Sequence, residues 1–85
     1  MKENYRAVDV MYAAHLAFSG AGNADYAKQK TNSFLSRCGA DIQKPKEQPL
    51  SSSRVKEIVF AMLDEETEAI FWAEMRRRRV DGQRA

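Results

Sequence analysis

The side chains of this chain that could do chemistry are few, and they do not form a known catalytic set. His15 is the only histidine and Cys38 the only cysteine. A Cys–His dyad needs a hydrogen bond between the two side chains and a third group that orients the base, and no motif typical of such a dyad surrounds either residue. We therefore predict a partly buried His15, an inert Cys38 in the core and no enzymatic activity.

The sequence also lacks the patterns that bind metal ions or nucleotides. One cysteine and one histidine are too few for a structural zinc site. The acids between Asp64 and Glu68 are neighbours on a helix, where side chains splay apart, so they predict a helix N-terminus rather than a calcium site. The glycines at positions 20 and 22 lack the remaining spacing of a phosphate-binding loop and predict the end of a helix. We expect no metal and no cofactor.

Four consecutive arginines are the most conspicuous feature of the sequence: Arg76, Arg77, Arg78 and Arg79. Residues 1–75 carry nine basic and eleven acidic side chains, whereas residues 76–85 carry five arginines and one aspartate. On a helix, the four arginines form a collar of charge. Such a collar suits DNA phosphates, to which it gives affinity without sequence choice, or an acidic patch on a protein. It also suits the negative end of a helix dipole.

An apolar group, Phe71, Trp72 and Met75, precedes the arginines. A chain of 85 residues buries only about 60–65% of its unfolded surface, so we expect some of these side chains to stay exposed. Aromatic residues and methionine are enriched at the centres of protein interfaces. We therefore predict an interaction patch here, which could also serve as a dimer contact.

Length and composition indicate one small globular domain. The chain has 85 residues, of which 44% are hydrophobic and 31% charged, unlike a disordered chain. We expect a single domain over residues 1–80 and a basic, partly disordered end over residues 76–85. No apolar run reaches the roughly 18 residues of a membrane span and no charged-then-apolar leader opens the chain, so we expect a cytoplasmic protein.

Hydrophobic periodicity predicts four helices and no sheet, over about residues 4–19, 23–38, 51–63 and 64–79. Asn23 and Asp64 are expected as N-caps, Gly39 as the left-handed residue after the second helix, and Gly82 as the end of the last one. The predicted fold class is all-α: a compact bundle of about four helices that is similar to a helix-turn-helix.

The segment at residues 40–50 is predicted to be a loop. Pro45 and Pro49 withhold backbone donors and restrict the residues before them. We expect Ile42 and Leu50 to fold this loop down onto the core.

The first predicted helix is apolar on two sides. One stripe consists of Tyr5, Val8, Tyr12 and Leu16. The second consists of Ala7, Met11, Ala14 and Phe18. A helix of this kind is deeply buried or keeps one side for a partner, and in a domain this small we assign the second stripe to a partner protein.

The segment from residue 32 to residue 62 runs helix, glycine turn, proline-containing loop, small polar cap and helix. The residues that mark this order are Phe34, Leu35, Gly39, Leu50, Lys56, Ile58 and Val59. With the stretch Leu16–Ser19 upstream, the pattern resembles the AsiA-type family of phage anti-sigma proteins. The resemblance implies a small helical protein that grips the promoter-recognition region of a bacterial primary sigma factor. The gripping residues that it implies are Met11, Ala14, His15 and Cys38.

We therefore expect a non-enzymatic regulator of phage or bacterial type that binds and occludes a protein of the transcription machinery, either RNA polymerase or a sigma factor. A first alternative is a direct DNA-binding regulator whose third helix enters the major groove. Its contact residues would be Ser52, Ser53, Arg54 and Lys56. A second alternative is a phage-type inhibitor of another host or defence protein. The sequence leaves these alternatives open.

Overall fold

Four helices and a short two-stranded ribbon make up the protein. The computed structural model describes residues 4–20, 23–41, 43 and 48–84, with side chains as far as residue 78. The elements are β1 (Asn4–Arg6), α1 (Ala7–Ser19), α2 (Ala24–Arg37), β2 (Pro49–Ser51), α3 (Ser52–Met62) and α4 (Glu65–Arg84). The predicted all-α bundle of four helices is confirmed. Its Cα radius of gyration is 11.9 Å, close to the roughly 12 Å of a folded chain of this length.

Helix α1 is the centre of the bundle and packs against both α2 and α4. Its buried side chains are mostly small: Ala7, Val10, Ala13, Ala14, Ala17 and Phe18. Alanine has the highest helix propensity, and its small side chain lets two neighbouring helices approach the same helix closely. Because both neighbours cover α1, only a narrow face of this helix remains exposed.

The ribbon was not expected from the sequence. Strands β1 and β2 pair antiparallel with Tyr5 opposite Leu50, and both side chains are buried. The prediction that Tyr5 belongs to the first helix and that no strand forms is wrong, because strands of three residues are too short for an alternating pattern to be read. The burial of Leu50 is confirmed, whereas Ile42 and Pro45 lie outside the described residues.

The predicted N-caps of α2 and α4 are confirmed. Asn23 Oδ1 accepts a hydrogen bond from the backbone N–H of Tyr26 at 2.8 Å, and Asp64 Oδ1 accepts one from Thr67 at 2.9 Å. Hydrogen bonding from Thr67 lowers the pKa of the Asp64 carboxyl. This cap also confirms the predicted break between α3 and α4. Ser51 stands at the N-cap of α3, but its side chain makes no capping hydrogen bond.

The end of α2 is a Schellman motif, as the glycine after Cys38 predicts. The backbone N–H of Ala40 donates to Leu35 O at 2.9 Å, and that of Gly39 donates to Ser36 O at 3.1 Å. Gly39 has a φ of +88°, in the left-handed region that costs residues with a Cβ atom about 1–2 kcal/mol.

The C-terminal end of α4 lies later than predicted. The helix continues past Arg79 and through Gly82 to Arg84, so the expectation that Gly82 ends it is wrong. A helical glycine costs about 1 kcal/mol relative to alanine, which is too little to end the helix at this position. At the end of α1, Gly20 is the C-cap as predicted, and Gly22 lies outside the described residues.

A chain of aromatic rings runs through the core. Phe18 and Phe34 have their ring centroids 6.3 Å apart, and Phe34 and Phe71 lie 5.5 Å apart. Phe71 meets Trp72 edge to face at 4.9 Å, and Trp72 meets Tyr5 at 6.1 Å. Pairs in these geometries contribute about 0.5–1.5 kcal/mol beyond area burial, and they link α1, α2, α4 and β1.

Candidate functional site

The two residues that could form a catalytic dyad lie in different surroundings. His15 is exposed on α1, contrary to its predicted partial burial, and its Nδ1 lies 3.4 Å from Ser19 Oγ. Cys38 is buried at the end of α2, and burial raises the pKa of its thiol to about 11. A thiol with this pKa stays protonated near neutral pH and is a poor nucleophile. No hydrogen bond joins His15 and Cys38 in the described part of the chain.

The burial of the two apolar stripes of α1 is the reverse of what the sequence predicts. Ala7, Ala14 and Phe18 are buried and Met11 is partly buried against the core, so the second stripe is not a free surface for a partner. The reason is that α2 and α4 both pack on this helix and together cover it. The exposed face belongs to the other stripe: Tyr12 is 50% and Leu16 49% exposed.

The predicted patch at the centre of α4 is also internal. Phe71 and Met75 are buried, and Trp72 is half-buried against the core. The Trp72 Nε1–H donates to Glu68 Oε2 at 3.1 Å, which fixes the indole. The prediction of an exposed patch is wrong, because α4 packs along α1 and the ribbon supplies Tyr5 as a further cover.

The acidic residues at the start of α4 make contacts within this helix or lie in solvent. Asp64 caps it, Glu68 accepts from Trp72, and Glu65 and Glu66 point to solvent. No group of three histidine, cysteine, aspartate or glutamate side chains among the described residues is placed to hold a metal ion.

The arginine collar is divided among different contacts. Arg78 Nε donates to Asp9 Oδ1 on α1 at 2.8 Å, and the guanidinium stands 4.6 Å over the ring of Tyr12. Arg77 makes a bidentate contact with Glu74: its Nε donates to Oε1 at 3.0 Å and its Nη2 donates to Oε2 at 2.6 Å. Arg77 and Arg78 of the predicted collar of charge are therefore paired with specific carboxylates of the protein.

Arg76 differs from both Arg77 and Arg78. Arg76 is exposed beside Tyr5, Trp72 and Met75, and the side chain of Arg79 lies outside the described residues. Hence Arg76, Arg77 and Arg78 differ in their contacts within the protein, and phosphate binding by Arg76–Arg79 stays a prediction.

A groove between α1 and α4 collects the exposed residues of both helices. It has a volume of about 320 Å³, and we call it the α1–α4 groove; its lining residues are Tyr12, His15, Leu16, Ser19, Glu74, Arg77 and Arg78. Glu74 is buried at its floor, and the hydrogen bonds from Arg77 lower the pKa of its carboxyl. Glu74 is therefore ionised near neutral pH, and Arg78 Nη1 lies 3.8 Å from it. The groove offers apolar contact and fixed charge.

A second exposed surface lies on α3. Three of the four predicted DNA contacts, Ser53, Arg54 and Lys56, are exposed, whereas Ser52 is buried. Phe60, which the sequence analysis did not single out, is 86% exposed. We call Ser53, Arg54, Lys56 and Phe60 the outer face of α3. Phe60 lies four residues after Lys56 and is an isolated apolar residue in the helical pattern of α3. This position is the sequence signal that could have identified Phe60 as exposed.

The segments that connect α3 to α2 and to α4 differ from those of a DNA-binding helix-turn-helix. Residues 38–51 separate α2 from α3, whereas the DNA-binding motif uses a turn of about three or four residues. Two residues, 63 and 64, join α3 to α4, but the first turn of α4 is acidic and would repel phosphates.

The residues that carry the resemblance to the anti-sigma family are mainly internal. The buried ones are Phe34, Leu35, Leu50, Ile58 and Val59. Of the gripping residues that the resemblance implies, Ala14 and Cys38 are buried, Met11 is partly buried and only His15 is exposed. The implied gripping surface is therefore not assembled in that form.

No protein-family model, curated protein or solved structure matches the chain. Among the described residues, no helix has the length and apolar character needed to cross a membrane.

Proposed function

We propose that this protein is a small non-enzymatic regulator that binds and occludes a protein of the transcription machinery through the α1–α4 groove. The observation that carries this proposal is the pair Tyr12 and Leu16. The two side chains are half exposed and one turn apart on α1, and the Arg78 guanidinium, already held by Asp9, stands over the ring of Tyr12.

Fixed contact residues favour binding because association costs about 0.5–1.5 kcal/mol for each flexible side chain that becomes ordered. Arg78 is held by Asp9 and stacks on Tyr12 before any partner arrives. Tyrosine and arginine are among the residues that most often dominate binding energy in protein interfaces. The α1–α4 groove therefore has the composition of an interface centre.

The shape and charge of the groove favour a helix as the bound element. Two packed helices form its walls, and an amphipathic helix can lay its apolar face between them. The arginine-rich end of α4 favours carboxylates on that partner helix. A standard interface of roughly 800 Å² per partner is wide enough to cover a surface that the partner needs for promoter recognition. The assignment to RNA polymerase or a sigma factor rests on the resemblance to the anti-sigma family.

Direct DNA binding by α3 is the second candidate, and inhibition of another host or defence protein is the third. Exposure of Ser53, Arg54 and Lys56 near the start of α3 supports DNA binding. Two observations weigh against it: Glu57 is exposed on the same helix, and Arg54 Nη1 points to the carbonyl oxygen of Arg37 at 3.4 Å. The third candidate uses the same groove and differs only in the partner.

The test is affinity capture from bacterial lysate, with and without nuclease treatment, using four versions of the chain. These are the wild type, Tyr12→Asp with Leu16→Asp, Phe60→Asp, and Arg54→Gln with Lys56→Gln. Circular dichroism and a thermal melt establish that each variant folds. Phe60→Asp is the matched control, because it also replaces an exposed apolar side chain by an acid.

We expect RNA polymerase subunits or a sigma factor to be retained by all versions except the Tyr12 and Leu16 variant. Loss of a contact centre costs about 2 kcal/mol or more, a weakening of roughly thirtyfold. Capture of a different protein with the same mutational pattern would replace this partner by the third candidate. Capture that ends with nuclease treatment and requires Arg54 and Lys56 would instead favour DNA binding.

A further inference from the structure

A second, smaller groove lies on the other flank of α4. Tyr5, Trp72, Met75 and Arg76 line it, and its volume is about 210 Å³. Arg76 stands two residues from both Glu74 and Arg78, so it points to a different side of the helix from the α1–α4 groove. We call this site the Trp72 groove.

The Trp72 groove is lined by apolar side chains and by one charged side chain that has no ion pair to the described residues. Tyr5 and Met75 are buried and Trp72 is half-buried, and the indole N–H is already taken by Glu68. The guanidinium of Arg76 makes no ion pair or hydrogen bond within the described part of the chain, unlike those of Arg77 and Arg78. A partner would therefore meet apolar surface next to one guanidinium that lacks a counterion.

The volume limits what can enter. Pockets for cofactors and drug-sized ligands measure about 300–1,000 Å³, and this groove is smaller. It has room for one apolar side chain and not for a nucleotide or a cofactor.

We infer that the Trp72 groove receives one aromatic or aliphatic side chain of an acidic peptide segment, whose neighbouring carboxylate pairs with Arg76. The proposal goes beyond the α1–α4 groove, because the two sites share no lining residue. The net charge of residues 76–85 is positive, with five arginines against one aspartate. This excess attracts acidic segments and repels basic ones.

A nucleic-acid base is the less suitable occupant. Single strands bind by stacking bases on open aromatic faces. The indole of Trp72 already has Phe71 edge to face at 4.9 Å and Tyr5 at 6.1 Å, which leaves less flat surface for a base.

Trp72 is the only tryptophan of the chain, so its fluorescence reports directly on this groove. The experiment titrates the full chain with the peptide acetyl-Asp-Phe-Asp-amide to millimolar concentration and follows the tryptophan emission. The controls are acetyl-Lys-Phe-Lys-amide, which reverses the charge, acetyl-Asp-Ser-Asp-amide, which removes the apolar group, and a short oligothymidylate.

We expect a saturable emission change with the acidic phenylalanine peptide alone, weakened by added salt. Arg76→Gln is expected to reduce the affinity about two- to fivefold, the effect of one exposed charge pair. Arg76→Lys should retain most of it, and Lys56→Gln, which removes an exposed charge on another helix, should leave it unchanged.

Three results would overturn the inference: no saturable change, an equal response to the basic peptide, or an affinity that is insensitive to Arg76→Gln. A response to oligothymidylate alone would overturn it in favour of nucleic acid. None of these results depends on Tyr12 or Leu16, so failure here is distinct from failure of the proposed function.

Discussion

The α1–α4 groove and the outer face of α3 both combine exposed apolar surface with positive charge, but they differ in how their side chains are held. In the groove, Arg78 is bound to Asp9 at 2.8 Å and stacks 4.6 Å over Tyr12. On α3, the side chains of Phe60 and Lys56 make no hydrogen bond, ion pair or ring contact to the residues that the structure describes.

A side chain can therefore be highly exposed without any contact that orders the charges around it. Phe60 is the most exposed large hydrophobic side chain among the described residues, yet a partner that used it would have to order the charges around it. In the α1–α4 groove, contacts within the protein already order the contact residues. A partner that binds there therefore loses less conformational entropy. We therefore propose that a partner binds in the groove, although α3 has the more exposed aromatic ring.

The largest expected effect separates buried from exposed aromatic residues. Phe71→Ala should lower the free energy of unfolding by about 3–5 kcal/mol, because it opens a cavity in the aromatic chain of the core. Phe60→Ala, the same change at a surface position, should alter it by no more than about 0.5 kcal/mol. Urea unfolding followed by circular dichroism measures both. Equal losses would mean that α3 packs against the bundle through Phe60.

An intermediate effect on stability should distinguish Arg78, which is held by an ion pair, from Arg76, which is not. Arg78→Gln should cost about 1 kcal/mol, since it removes a partly buried ion pair and leaves Asp9 without its partner. Arg76→Gln, two residues earlier, should change stability by less than about 0.5 kcal/mol. Paired thermal melts at low and high salt provide the measurement. If the two substitutions cost the same, the collar acts as one screened cluster and the groove is not preorganised.

The smallest expected effect is a dependence on pH. Glu74 has an ordinary pKa of 4.5 that hydrogen bonding from Arg77 lowers in the folded protein. Ionised Glu74 therefore stabilises the fold above about that pH, and the contribution is lost as pH falls through the folded pKa. Arg77 is mostly exposed, so solvent screens the pair and keeps the effect small.

The measurement is the free energy of unfolding between neutral and acidic pH, in the wild type and in Glu74→Gln. The decline on acidification should be shallower in the variant. Asp64, whose pKa is lowered by Thr67, titrates in both proteins and serves as a shared background. Identical slopes would show that Glu74 does not anchor the groove.

Local features of the fold could be predicted from the sequence because they depend on neighbouring residues. The cap at Asn23, the glycine turn at Gly39 and the break at Asp64 each follow from the chemistry of a few adjacent positions. The four helices follow from periodicity, and the burial of Leu50 follows from an apolar side chain in an otherwise polar loop.

The distribution of the site residues could not be predicted, because it depends on contacts between distant segments. Periodicity groups Met11 with Phe18 and Tyr12 with Leu16, but it does not tell how many helices cover α1. The ion pair that holds Arg78 joins it to Asp9, 69 positions earlier, and no local pattern indicates that pairing. The same holds for Tyr5, which meets Trp72 only because β1 pairs with β2.

Site-specific photocrosslinking to purified bacterial RNA polymerase holoenzyme tests the central claim most directly. A benzophenone side chain is placed at Leu16 in one protein and at Phe60 in another, two positions that are both exposed in the free chain. The account predicts a crosslink to a polymerase or sigma subunit from position 16 and none from position 60. A crosslink from position 60 alone, or from neither position, would contradict it.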